Sequence, residues 1–167
     1  MTTTSIASAV PSVNPLDCIE ELVLANSWTF ERSDENLMVV DVKGHWCDYR
    51  MFFKWQEENG GLQFACQFDM RVPTARRAAC AQLLVMMNER LWLGHFDING
   101  NENIPVFRYN LLLRGAGMVS VEQVEDLIEI GLSECERYYP AFQFVIWGGK
   151  SAEDAIIAAV LDTVGEA

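Results

Sequence analysis

Positive charge is what this sequence has least of. Lys and Arg number 12 against 24 Asp and Glu, a formal charge of −12 over 167 residues. Such a field repels phosphate backbones and anionic headgroups, which excludes nucleic acid and membrane surfaces as partners. Arg71, Arg76 and Arg77 make the one local basic cluster, and no aromatic stacking motif accompanies it. Histidine is scarce too, with only His45 and His95. The five cysteines, Cys18, Cys47, Cys66, Cys80 and Cys135, contain no CxxC pair, so zinc ribbons and thioredoxin-like chemistry are removed. Their number is odd and most fall at apolar positions, as free thiols do in a reducing compartment. No apolar run approaches the ~20 residues of a membrane span. Residues 1–13, MTTTSIASAVPSV, have neither a basic leader nor a long apolar core and do not read as a secretion signal. We therefore expect a cytoplasmic protein.

What is present is enough for a core. Half of the residues are hydrophobic, and a chain of this size forms one domain that buries roughly 70% of its unfolded surface. A Thr/Ser/Ala-rich tail over 1–13 is expected to be mobile, ahead of one domain over 14–167. Asn14 can cap a helix and Pro15 suits its first position. Leu16, Ile19, Leu22 and Val23 then recur at helical spacing to about Asn26. Strands are expected at Trp28 to Phe30, Leu37 to Val42 and Tyr49 to Trp55. The alternation of Leu62, Phe64, Cys66, Phe68 and Met70 with polar residues gives the clearest period of two, and it demands one buried and one wetter sheet face. Thr74 is placed as the cap of a second helix that carries Ala79, Cys80, Leu83, Leu84, Met87 and Leu91 and stops at Gly94. A strand pair follows, His95 to Ile98 and Ile104 to Leu113, around Asn99–Gly100, with Pro105 marking an edge. Ser120 and Gln123 form a capping-box pattern for a third helix that Pro140 ends or kinks. Ala141 to Trp147 suits a strand or a buried helix; we read it as helix. Ser151 opens the last helix. This order describes an α+β fold: an antiparallel sheet with helices packed on one face.

Candidate chemistry is thin. His95 and Asp97 lie two apart on one strand face, as a base and its orienting carboxylate would. No nucleophile elbow accompanies them, and a packed, backbone-bonded His95 explains the pair equally well. His45 and Cys47 share a face but lack the further ligands that zinc requires. Gly115–Ala116–Gly117 and Gly148–Gly149 are turns, without a phosphate-binding fingerprint. We expect no metal, no cofactor and no catalytic residues. Eighteen aromatics, five of them Trp, exceed what a small core needs, and aromatics are favoured at protein interfaces. Phe52 interrupts the polar side of its strand, so part of the outer sheet face is expected to be covered. The candidate protein-binding residues are Trp46, Phe52, Trp92, Phe142 and Trp147.

The strings Asn14-Pro15-Leu16-Asp17, Gly44-His45-Trp46-Cys47-Asp48-Tyr49, Leu91-Trp92-Leu93-Gly94-His95-Phe96-Asp97 and Tyr138-Tyr139-Pro140-Ala141-Phe142-Gln143-Phe144 resemble the YbjN family of bacterial proteins, across nearly all of the chain from Asn14. The resemblance implies a fold similar to type III secretion chaperones: a small, acidic, often dimeric α/β sandwich. It also brings the general label of sensory transduction regulator, which names no chemistry and carries over no catalytic residue. The expectation is a non-enzymatic protein-binding module, chaperone-like or regulatory. Its partner would be another protein or a second copy in a homodimer, met through an apolar sheet surface or edge. The alternatives are a hydrolase or transferase using His95 and Asp97, with Cys47 as nucleophile, and a structural subunit of a larger complex.

Overall fold

The computed structural model describes residues 13–165; the expected tail, up to residue 12, lies outside the described residues. Helix α1 (Pro15–Ala25) opens as its sequence predicts, with the Asn14 side chain accepting from the Leu16 N–H at 2.9 Å and Pro15 in the first turn. Six strands follow: β1 (Thr29–Asp34), β2 (Leu37–Lys43), β3 (Asp48–Gln56), β4 (Gly61–Gln67), β5 (His95–Asn99) and β6 (Ile104–Leu112). Helix α2 (Arg77–Asn88) lies between β4 and β5, and α3 (Val121–Ile146) and α4 (Ala152–Gly165) close the chain. The strands form one antiparallel sheet in the order β1-β2-β3-β4-β6-β5.

Register fixes the faces, because side chains alternate along each strand. The cross-strand rows Phe30–Val40–Met51–Cys66–Phe107–Phe96 and Met38–Phe53–Phe64–Tyr109 point to one side, where Leu16, Ile19, Leu83, Val124, Ile128, Cys135 and Phe142 of the helices pack on them. Gly131 permits the closest approach of α3: a Cβ there would stand 2.5 Å from Phe64 Cε1. Such apolar close packing is the main source of stability.

Four local expectations are corrected. Thr74 does not cap α2; it begins a 3-10 turn (Thr74–Arg76), and the N-cap position falls to Arg76 without a side-chain bond. β4 ends at Gln67, although the buried alternation runs on through Phe68, Met70 and Val72. That segment instead crosses the end of the β5–β6 hairpin, with Phe68 N–H donating to Pro105 O and Val72 N–H to Asn103 O. Pro105 lies in an interior strand, not at an edge. Its nitrogen falls beyond the last β4–β6 pair, Gln67↔Val106, so no ladder bond is lost. Pro140 lies inside α3. Its ring removes one backbone donor, yet the helix continues because Ala141, Phe142 and Val145 are fully buried beyond it. The reading of Ala141–Trp147 as helix agrees with the helical bounds to Ile146 and a C-cap at Trp147.

Both ends of α3 are tied. Ser120 and Gln123 form the capping box. At the other end Arg76 donates from Nε to Val145 O, a carbonyl in the last turn that the helix leaves unpaired, and from Nη2 to Lys150 O in the loop between α3 and α4, each at 2.7 Å.

Candidate binding surfaces

Among the described residues, the second face of the sheet carries no helix. Its rows read Glu31–Val39–Phe52–Ala65–Arg108–His95 and Thr29–Asp41–Arg50–Gln67–Val106–Asp97. Val39, Phe52 and Ala65 are half-buried and form a narrow apolar strip. Charges on either side of the strip neutralise one another in pairs: Arg50 Nε to Asp41 Oδ1 at 2.9 Å, and Arg108 Nε to Asp97 Oδ2 at 3.3 Å. Lys54 faces Leu37 and Gln63 across the ladder, with no carboxylate opposite. A groove of about 850 Å³ crosses this face. Arg50, Phe52 and Gln67 make its floor; Trp28 rises on the β1 side, and Ile104 and Glu102 on the β6 side.

A second concentration of motif residues pins the β2–β3 loop to the middle of α3. The Gly44 N–H donates to Cys47 O at 2.9 Å, and the His45 N–H donates to Glu136 Oε1 at 2.8 Å. A side chain at Gly44 would collide with the Glu136 carboxylate and the Tyr49 ring. The Trp46 indole stacks on Tyr139, centroids 6.1 Å apart and planes 9° from parallel, and the Tyr139 hydroxyl donates to Asp69 Oδ1 at 2.8 Å. Burial, more than the nearby Asp69 carboxylate, pushes the Cys47 thiol up to about 12, and burial also raises the Tyr49 and Tyr139 hydroxyls. Cys135, beside Cys66, is likewise raised by burial. These groups are held protonated, which suits packing rather than nucleophilic attack.

The five aromatic candidates separate. Trp92 and Trp147 are 77% and 63% exposed, Trp46 is 41% exposed, and Phe52 is half-buried on the uncovered face. Phe142 is withdrawn as a contact residue: it is fully buried, edge-on to Phe68 at 5.3 Å. Its position on α3 turns it into the core, which an apolar run without clear periodicity could not reveal. The four exposed rings do not share a surface element: Trp46 is in the β2–β3 loop, Phe52 on β3, Trp92 between α2 and β5, and Trp147 at the end of α3. His95 and Asp97 do share a strand face, but Asp97 is bonded to Arg108 and to the Ile98 N–H. His95 stands opposite Arg108 on edge strand β5, away from the Cys47 loop on α3. Among the described residues no group of three or more His, Cys, Asp and Glu side chains is placed to hold a metal, and no helix is long and apolar enough to cross a membrane. Sequence reasoning found Phe52 through the break in alternation but missed Trp28, Glu102 and Ile104, since they come from distant parts of the chain that share no pattern.

Among the described residues, an antiparallel six-stranded sheet with four helices, one sheet face left without a helix, defines a two-layer α+β domain. The chain belongs to the YbjN family: residues 15–144 match the family described as "Putative bacterial sensory transduction regulator". The crystal structure of YbjN from E. coli is similar at 12% sequence identity and a TM-score of 0.54, covering 75% of this chain and 89% of that one. The ExsC–ExsE complex is also similar, at 11% identity and a TM-score of 0.48, covering 73% and 88%. A comparison with curated proteins finds no match.

Proposed function

We propose that this chain is a protein-binding module, chaperone-like or regulatory, that works in the cytoplasm and engages its partner through the uncovered sheet face or an adjoining edge. The observation that carries this reading is the bare face itself, with the Val39–Phe52–Ala65 strip and the groove beside it. Half-buried apolar side chains on β2, β3 and β4, with no helix over them among the described residues, leave apolar surface for another polypeptide. The family description points towards regulation and gives no chemistry of its own.

A homodimer belongs to the same proposal. Ile157, Val160 and Leu161 of α4 are exposed and apolar, a patch that a second copy would cover. Light scattering on the purified protein, with pull-downs from its native cytoplasm using wild type and Phe52→Asp, tests both parts. The expected result is a dimer and a reproducible partner that the variant loses. A monomer that captures nothing reproducible overturns the proposal. The hydrolase reading gains no support from the geometry at His95.

A further inference from the structure

We propose that Asn99 is a modification site: its side chain closes on the Gly100 nitrogen, loses ammonia and converts spontaneously to aspartate and isoaspartate, which remodels one wall of the groove. Asn is a chemically labile residue, and a following Gly leaves the attacking nitrogen without a side chain beside it. The chain has two such pairs, Asn59–Gly60 and Asn99–Gly100. Asn59 is exposed and Asn99 half-buried, so exposure alone would select Asn59. Local bonding selects Asn99.

The nucleophile is free at one pair and engaged at the other. The Gly100 N–H has no hydrogen-bond partner among the described residues, and a Cβ on Gly100 would meet no atom within 4 Å. The Gly60 N–H instead donates to Glu57 O at 3.1 Å, while Gly60 O is tied to the Leu113 N–H at 2.8 Å. The electrophile differs in the same sense. The Asn101 N–H donates to Asn99 Oδ1 at 3.1 Å. That oxygen gains negative charge as the nitrogen adds to Cγ, and a donor already in place stabilises it. At Asn59 the leaving nitrogen is held, with Nδ2 donating to Gln56 Oε1 at 3.2 Å.

The Gly100 nitrogen gives up its proton and bonds to Asn99 Cγ. The Cγ–Nδ2 bond breaks, and ammonia carries that proton away. Water then opens the cyclic imide. Opening at Cγ gives aspartate. Opening at the main-chain carbonyl gives isoaspartate, whose backbone runs through Cβ and Cγ and is longer by one carbon. Either product carries a new carboxylate, and no oxidant or reductant takes part.

The longer backbone falls where the hairpin is anchored. Asn99 pairs with Ile104 at the end of β5. Its carbonyl accepts from the Asn103 N–H at 2.7 Å, and Asn103 O accepts from the Val72 N–H at 2.8 Å. Asn103 Oδ1 also accepts from Arg77 Nη1 at 2.5 Å. An extra carbon at Asn99 disturbs this chain of bonds and shifts Glu102 and Ile104, the β6 side of the groove. The modification stands apart from the protein-binding reading; only its effect on recognition draws on it.

The test holds the folded full chain, wild type and Gly100→Ala, in neutral buffer and digests samples at intervals. Gly100 has no positive φ, so alanine fits there without strain. Mass spectrometry follows the change from amide to acid, and chromatography against synthetic aspartate and isoaspartate peptides separates the products. Asn99 is expected to convert severalfold faster than Asn59 in folded wild type, at a comparable rate in denaturant, and severalfold more slowly in Gly100→Ala. Equal or faster conversion at Asn59 in the folded chain, or an unchanged rate at Asn99 in Gly100→Ala, overturns the site. In the purified isoaspartate form, amide exchange at Val72 and Asn103 is expected to speed up; unchanged exchange overturns the effect on the groove wall. Aged wild type is expected to capture less of the pull-down partner than equally aged Gly100→Ala, and equal capture overturns the effect on recognition. Absence of any partner sinks the protein-binding reading, while the mass readout still decides the site.

Discussion

The two faces of one sheet are built from the same strands and differ in almost everything else. On the covered face the alternate residues are large and apolar: Met38, Met51, Phe53, Phe64 and Phe107 are excluded from solvent, and ring meets ring at Phe53–Phe64 (5.1 Å) and Phe96–Phe107 (5.4 Å). One residue along, the uncovered face carries Arg50, Lys54, Asp41 and Gln67 around a three-residue strip. The contrast teaches that burial is divided unequally between the faces: the covered side contributes it, and the other side gives it up.

Breaking the covered face should have the largest effect. Phe64→Ala removes a ring that packs on Phe53, Phe107 and Gly131, and a loss of about 3–5 kcal/mol is expected in urea unfolding. Gly44→Ala comes next. The β2–β3 loop must shift away from Glu136 and Tyr49, for about 1–3 kcal/mol, and the His45 amide should lose its slowed hydrogen exchange. Arg76→Ala, which frees Val145 O in the last turn of α3 and Lys150 O in the loop after it, is expected to cost a similar or slightly smaller amount, about 1–3 kcal/mol in thermal unfolding. At the small end, Arg50→Ala on the uncovered face breaks a pair in which both side chains are about half exposed. Unfolding should move by no more than about 0.5 kcal/mol. If Arg50→Ala destabilised as much as Phe64→Ala, the division between the faces would be wrong.

A pH series sharpens the same contrast from the helix layer. Desolvation raises the Glu134 carboxyl, opposed by Arg137, whose Nη1 stands 3.8 Å from Oε2. A carboxyl raised on folding holds its proton more tightly in the folded chain. Its contribution is therefore fully present below the unfolded value and is lost as pH rises through the folded one. Glu134→Gln should flatten that decline in unfolding midpoints measured from acid pH to neutrality. A steeper decline in the variant would contradict the assignment.

Much of this was legible in the residues. The cap at Asn14–Pro15, the capping box at Ser120 and the side-chain alternation of β3 and β4 are local: each is read from a short stretch of neighbouring residues. Alternation also showed that one sheet face would be wet and that Phe52 would interrupt its polar residues. Thr74 misled because its hydroxyl has the right chemistry for a cap, while a 3-10 turn moved the helix start two residues on. Phe142 misled because an apolar run announces burial or exposure alike until its helix is docked. The groove walls at Trp28 and Ile104 lie far apart in sequence and share no pattern, so nothing local could pair them.

By itself, the sequence determined the α+β class, the element order, the acidic field and a covered and an open side for each strand, because these follow from short-range periodicity and composition. Only the tertiary structure decided which aromatics reach solvent, that Asp97 answers to Arg108 rather than His95, and that six strands join in one sheet with a groove across its bare face. Those outcomes depend on contacts between residues tens of positions apart, whose energies are set by packing rather than by any local propensity.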